Sequence, residues 1–344
     1  MRPVARILER LQEQTVAAIR GHPRLAVFTC LAAILAVVLA GILLLSQRAE
    51  TPKPTVEVYS AKLLQHMQSP EDDAWSQPAA VAVLDGHVFL LDTGNDRIVV
   101  LDGDGGVERV LDSRLDGRLV LEGAMAIASD GQFLYVANSG ARQILVLTPA
   151  GEVTKTIELE KVEESDSDRP RPIGIAVSPL GELLVTDADN NRLLRYDADG
   201  RLLKVMGEGR REAGTDGFNT PAGVALDGRG NAYVVDMLNG RVVQLSPDGT
   251  FLRHLGELGD SGGTFSRPKD VALDADGNTY VSDGLLAAVE VFSPDGRYLG
   301  FIGREKPSDP KSGSLFQAPA GLEIVGDRLY VVDRFAGLFV FSIP

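Results

Sequence analysis

The chain has 344 residues, 44% hydrophobic and 24% charged, with a formal net charge of −14, one Cys and four His. This balance excludes disorder throughout, a single Cys excludes an intrachain disulfide, and so few His and Cys argue against a site rich in soft metal ligands. The charge is uneven: residues 1–24 carry +3 and the remainder −17, and a body that acidic repels phosphate backbones, which argues against nucleic acid as a partner.

In chain order, residues 3–20 place Val4, Ile7, Leu8, Leu11, Val16 and Ile19 near one helical face, with Arg6, Arg10 and Glu13 elsewhere. That is the pattern of an amphipathic helix, lying on the inner membrane surface or docked on a partner. Leu25–Leu45 follows with 21 residues free of charge, Pro or Asn, enough helix to cross a hydrocarbon core of about 30 Å. Cys30 lies inside this run and is read as lipid- or helix-facing, because Arg20, His22 and Arg24 stand where a lipoprotein site needs apolar residues. The run is longer than a signal-peptide core, and "LLLSQRAE" lacks a small-x-small cleavage pattern, so it is read as an uncleaved anchor. Five Arg precede it, whereas only Arg48 and Lys53 follow closely, which keeps the N-terminus cytoplasmic.

The expected layout is therefore a cytoplasmic amphipathic segment (1–24), one transmembrane helix (25–45), a polar linker (46–54) and a body (55–344) that is periplasmic or extracellular. The protein is expected in the inner membrane as a single-pass protein. Nine linker residues reach at most about 30 Å, so the body is held near the bilayer.

The body repeats. Copies begin "PAAVAVLDGHVFLLD" (78–92), "EGAMAIASDGQFLYVAN" (122–138), "PIGIAVSPLGELLVTD" (172–187), "PAGVALDGRGNAYVVD" (221–236), "PKDVALDADGNTYVSD" (268–283) and "PAGLEIVGDRLYVVD" (319–333). Aligned on Val81, Met125, Ile175, Val224, Val271 and Leu322, they recur every 44 to 51 residues, room for a four-stranded antiparallel sheet with Gly in its turns. Such sheets are apolar on both faces and must stack; radial stacking gives a β-propeller. The last copy stops after a third strand, and "TVEVYSAKLL" (55–64) is expected to supply the fourth and close the ring. Trp75, just ahead of the first copy, is expected to pack against a blade edge.

The runs "P-x-G-V-A", "DG(x)GN", "V-x-D-x-x-N-x-R" and "F-x-x-P" (218–221, 265–268, 316–319) resemble NHL repeats over residues 78–344. The resemblance implies an all-β, six-bladed propeller with four-stranded blades. That family includes RNA binders, protein binders, sensor domains and some lyases, so the fold leaves function open.

Some propellers similar to this one hold zinc on inner-strand His residues, but here His66, His87 and His254 fall before blade one, in a hairpin and in an outer strand, and are not expected to converge. Asp92, Asn138, Asp187, Asp236, Asp283 and Asp333 recur at the end of each second strand. They are read as turn residues, with Arg97, Arg192 and Arg241 as ion-pair partners. "DADGN" (274–278) is read as a hairpin rather than a calcium loop, and the acidic connection 160–172 as a solvated face, with a cation or basic partner as the alternative.

In blades five and six the polar set after the Asp gives way to apolar residues. Met237, Leu238, Leu285, Leu286 and Phe335, with Arg334 on the rim, are the candidate partner-binding patch, unless the blade-to-blade connections cover them. No catalytic residue, metal or cofactor is assigned. The reading is of a membrane-anchored, non-enzymatic propeller that binds a protein in or next to the bilayer, as scaffold, sensor or accessory subunit. A lyase or hydrolase using acidic residues of the central pocket is the alternative, and a carbohydrate-binding module a third.

Overall fold

Alternating apolar residues and Gly-bearing turns fold each repeat into an antiparallel meander. In the computed structural model, which describes residues 59–112, 119–162, 169–207, 214, 217–303 and 313–344, blade four orders Pro221–Leu226, Ala232–Asp236, Arg241–Leu245 and Phe251–Leu255 as neighbours. The described residues form six such four-stranded sheets, the expected six-bladed propeller. The segments expected as amphipathic helix (1–24), membrane anchor (25–45) and linker (46–54) lie outside the described residues. Among those described, no helix is long and apolar enough to cross a membrane.

The first hairpin of blade five shows how local chemistry sets the turns. Asp274 Oδ1 accepts the Asn278 N–H at 2.8 Å and Oδ2 the Asn278 side-chain amide at 2.7 Å, while Gly277 takes φ +83°, a conformation that costs other residues energy. "DADGN" is thus the hairpin its spacing indicates.

Two details differ from the sequence reading. Pairing with the second strand sets Ile127, not Met125, level with Val81, Ile175, Val224, Val271 and Leu322. The closing strand is Lys62–Met67, paired antiparallel with Gly337–Ser342, rather than 55–64. Its register is fixed where side chains fit: Met67 is buried with Val81, Leu338 and Val340. His66 stacks on Phe339 with ring centroids 4.0 Å apart, and its Nε2 lies 2.7 Å from the Ala336 carbonyl. Tyr59 runs on to blade five, where its N–H donates to Phe301 O and its hydroxyl lies 2.9 Å from that of Tyr280. Trp75 packs on the same apolar cluster as Met67.

The recurring Asp, replaced by Asn138 in blade two, ties each blade to the connection before it. All six of Asp92, Asn138, Asp187, Asp236, Asp283 and Asp333 are buried, and each accepts a backbone N–H from that connection, from Ser76, Glu122, Arg171, Asn219, Ser266 and Gln317 respectively. In blades one, three and four the carboxylate also takes Arg97, Arg192 or Arg241 Nε at 2.7 to 3.0 Å. Blade five replaces that guanidinium with backbone: Asp283 accepts N–H groups from Ser266, Arg267, Leu285 and Leu286. Asp333 does the same with Gln317, Ala318, Phe335 and Ala336. Four amide donors satisfy a buried carboxylate without a cation, which frees Leu286, Ala288 and Phe335 from any polar duty.

Candidate functional site

The six inner strands converge on an axial cavity of about 440 Å³. Close approach demands small residues there: a Cβ on Gly174 would lie 2.2 Å from Ala222 O, and one on Gly321 2.5 Å from Ala80 Cα. Each of two levels down the channel obeys this rule in five blades and breaks it in one, the upper in blade five and the lower in blade six. The upper level reads Ala80, Ala126, Gly174, Gly223, Asp270, Gly321; the lower reads Ala82, Ala128, Ala176, Ala225, Ala272, Glu323.

Asp270 is held by two amides: the Val271 N–H donates to Oδ1 and the Leu322 N–H of the next blade to Oδ2, each at 2.9 Å. Burial raises its pKa to about 6 although both amides oppose the shift. Glu323 lines the cavity too. Burial first, and then the nearby Asp270 charge, push its carboxyl up to about 8. At pH 7 the pair is one ionised and one protonated carboxyl, the state in which one group accepts and the other donates a proton.

Arg171, Lys269 and Arg334 also line the cavity. Lys269 and Arg171 adjoin the N-terminal ends of inner strands, and Arg334 follows Asp333 in the turn after a second strand, so all three stand at the end where the blade-to-blade connections lie. Arg171 Nε donates to Asp189 Oδ1 at 2.7 Å. The Asp189 carboxylate, though burial opposes it, is held below its ordinary range by Arg171 and Arg142. Lys269 Nζ lies 3.6 Å from Met237 Sδ. Its pKa is lowered by burial first and then by Arg334 and Arg267, with Asp283 opposing. Arg334 Nε is buried with no hydrogen-bond partner among the described residues.

The six patch residues separate. Met237 and Arg334 line the channel rather than an outer rim. Leu286 is half-buried, and Leu238, Leu285 and Phe335 face outward with 46%, 64% and 65% exposure. The connection 256–268 leaves Leu285 open and itself exposes Leu258.

His66 is on the closing strand, His87 Nε2 lies 3.0 Å from Glu108, and His254 sits in an outer strand. Among the described residues no three His, Cys, Asp or Glu side chains are grouped to hold a metal ion. Arg171, Lys269, Asp270 and Glu323 escaped the sequence reading. For Lys269, Asp270 and Glu323 the signal was there: "PKDVALD" stands where a sister has "PAGVALD", and "GLEI" where it has "GVAL".

A family model of the NHL repeat matches residues 170–196, within blade three. No curated protein matches the sequence. The class that fold and repeat define is a six-bladed β-propeller carrying an NHL repeat. Solved chains of similar fold include a gluconolactonase from Xanthomonas campestris, 17% identical with a TM-score of 0.59, covering 86% of this chain and 99% of that one. A catalytically inactive virginiamycin B lyase from Staphylococcus aureus, solved with quinupristin, is 15% identical with a TM-score of 0.56, covering 83% and 100%. A Bacteroides thetaiotaomicron protein of unknown function is 15% identical with a TM-score of 0.62, covering 83% and 73%. At these identities the likeness shows the fold alone.

Proposed function

We propose that the axial channel is the working site and that it cleaves a small molecule by acid–base chemistry, of lyase or hydrolase class. The observation that carries this reading is the pair of carboxyls, Asp270 and Glu323, at two levels where every other blade has Ala or Gly. A structural filler at those places needs no charge. Glu323 supplies the proton, and Asp270, oriented by its two amides, keeps Glu323 protonated and accepts a proton in turn. The lyase and the gluconolactonase of similar fold lend this reading support as propellers whose names denote small-molecule chemistry. It takes precedence over the non-enzymatic reading because Asp270 and Glu323 are ionisable side chains inside the channel, which an outward contact surface does not call for.

Assay of the full chain against lactones and cyclic esters tests it. Turnover is expected to rise with pH through about 6, as Asp270 ionises, and to fall through about 8, as Glu323 loses its proton. A profile flat across this window, or no turnover of any substrate in the panel, counts against the reading.

The outward Leu238, Leu285 and Phe335 favour a second role on the same molecule: a contact for a protein partner near the bilayer, with residues 25–45 anchoring the propeller on the outer side of the inner membrane. Leu285→Asp is expected to release a partner co-purified in mild detergent without lowering the Tm, since the side chain is 64% exposed. Retention of that partner by the variant argues against the contact.

A further inference from the structure

We infer that the mouth of the channel is an oxyanion site, where Lys269 and Arg334 grip a carboxylate or phosphate group of the ligand and Arg171 stands beside them. The inference rests on the channel being the binding site, and not on the acid–base chemistry assigned to its depth. The body is strongly acidic, yet three cations from blades three, five and six line this one cavity. Arg171 is committed to Asp189. Among the described residues the other two lack such a partner: Lys269 Nζ has only the soft Met237 sulfur at 3.6 Å, and Arg334 Nε is buried without an acceptor.

Two acids beside them are already engaged. The Asp283 carboxylate accepts four amide N–H groups, and Asp270 accepts two. Two like charges brought together and partly desolvated are unfavourable unless an anion joins them. A planar guanidinium beside an ammonium matches the oxygens of a carboxylate or phosphate. The depression of the Lys269 pKa by Arg334 and Arg267 is consistent with that crowding. An anionic group held at the mouth would leave the rest of the ligand pointing down the axis toward Asp270 and Glu323.

The test is calorimetric titration of the full chain with inorganic phosphate and, separately, with benzoate, at pH 7 and low salt. Saturable binding of at least one anion is expected, and which one binds tells phosphate from carboxylate ligands. Lys269→Gln and Arg334→Gln should each weaken it at least tenfold, Lys269→Arg should restore most of it, and Glu323→Gln should leave it in place. Neither Gln variant removes a hydrogen bond to an oxygen acceptor seen here, and circular dichroism checks that each is folded. Binding of neither anion, or binding indifferent to both Gln variants, overturns the inference. Failure of the acid–base reading looks different: anion binding persists and depends on the cations, while turnover is absent or ignores Glu323.

Discussion

Glu323→Gln is expected to lower turnover in the channel by about 10²- to 10⁴-fold, the usual contribution of a positioned proton donor, while making the protein more stable. The two effects share one cause. In the unfolded chain Glu323 ionises at its ordinary value; in the folded channel burial and Asp270 hold the proton until about pH 8. A carboxyl whose folded pKa is raised places no penalty on folding at acid pH, and its penalty grows as pH climbs from the ordinary Glu value through about 8. At pH 7 that penalty is on the order of 3 kcal/mol, softened by whatever water enters the channel. Gln has the same size and no proton to lose. Its Tm should therefore exceed the parent's by several degrees at pH 8 and match it near pH 4. Loss of activity with loss of stability at both pH values would instead mark Glu323 as packing.

Deleting residues 59–67 is expected to abolish the folded body. This removes the strand that pairs with Gly337–Ser342, the buried Met67 and the Tyr59 hydroxyl contact to Tyr280. A buried Met alone is worth about 2–5 kcal/mol, and each lost ladder bond about 1 kcal/mol. Their sum approaches the about 5–15 kcal/mol that typically separates a folded domain from its unfolded chain. The bare edge of Gly337–Ser342 would then invite aggregation. Because Lys62 pairs with Ser342 and Met67 with Leu338, a short hairpin added after Pro344 can deliver residues 59–67 in the correct direction. That permuted chain should recover the parent Tm. A deletion variant that melts cooperatively at the parent temperature would show that the strand does not close the ring.

The architecture was legible because it is written locally and repeatedly. Turns such as Asp274–Asn278 specify their own hairpins, and an edge left unpaired in the last copy demanded a closing strand from elsewhere. Its position slipped because alternation alone does not say which residues pair; the His66–Phe339 stack and the Met67 socket do, and they join residues far apart in sequence.

The channel was harder to read for a related reason. Each level is assembled from one residue of every repeat, so Asp270 looks like a neighbour of Lys269 until the six copies are laid side by side. Then it stands alone against Ala and Gly. The patch turns on a different kind of information. Met237, Leu238, Arg334 and Phe335 occupy corresponding turns, but a side chain's direction decides its role. The structure turns Met237 and Arg334 toward the axis and leaves Leu238 and Phe335 in solvent. In blades five and six, apolar residues can follow the buried Asp because amide N–H groups do the work of the missing Arg, a substitution visible only in the folded chain.

The most direct test of the channel chemistry is a carboxyl carbon NMR titration of the full chain, with Glu323→Gln used to assign its resonance. Glu323 should keep its proton past neutrality and ionise near pH 8, with Asp270 titrating near 6. A Glu323 signal that ionises in the ordinary carboxylate range would contradict the account.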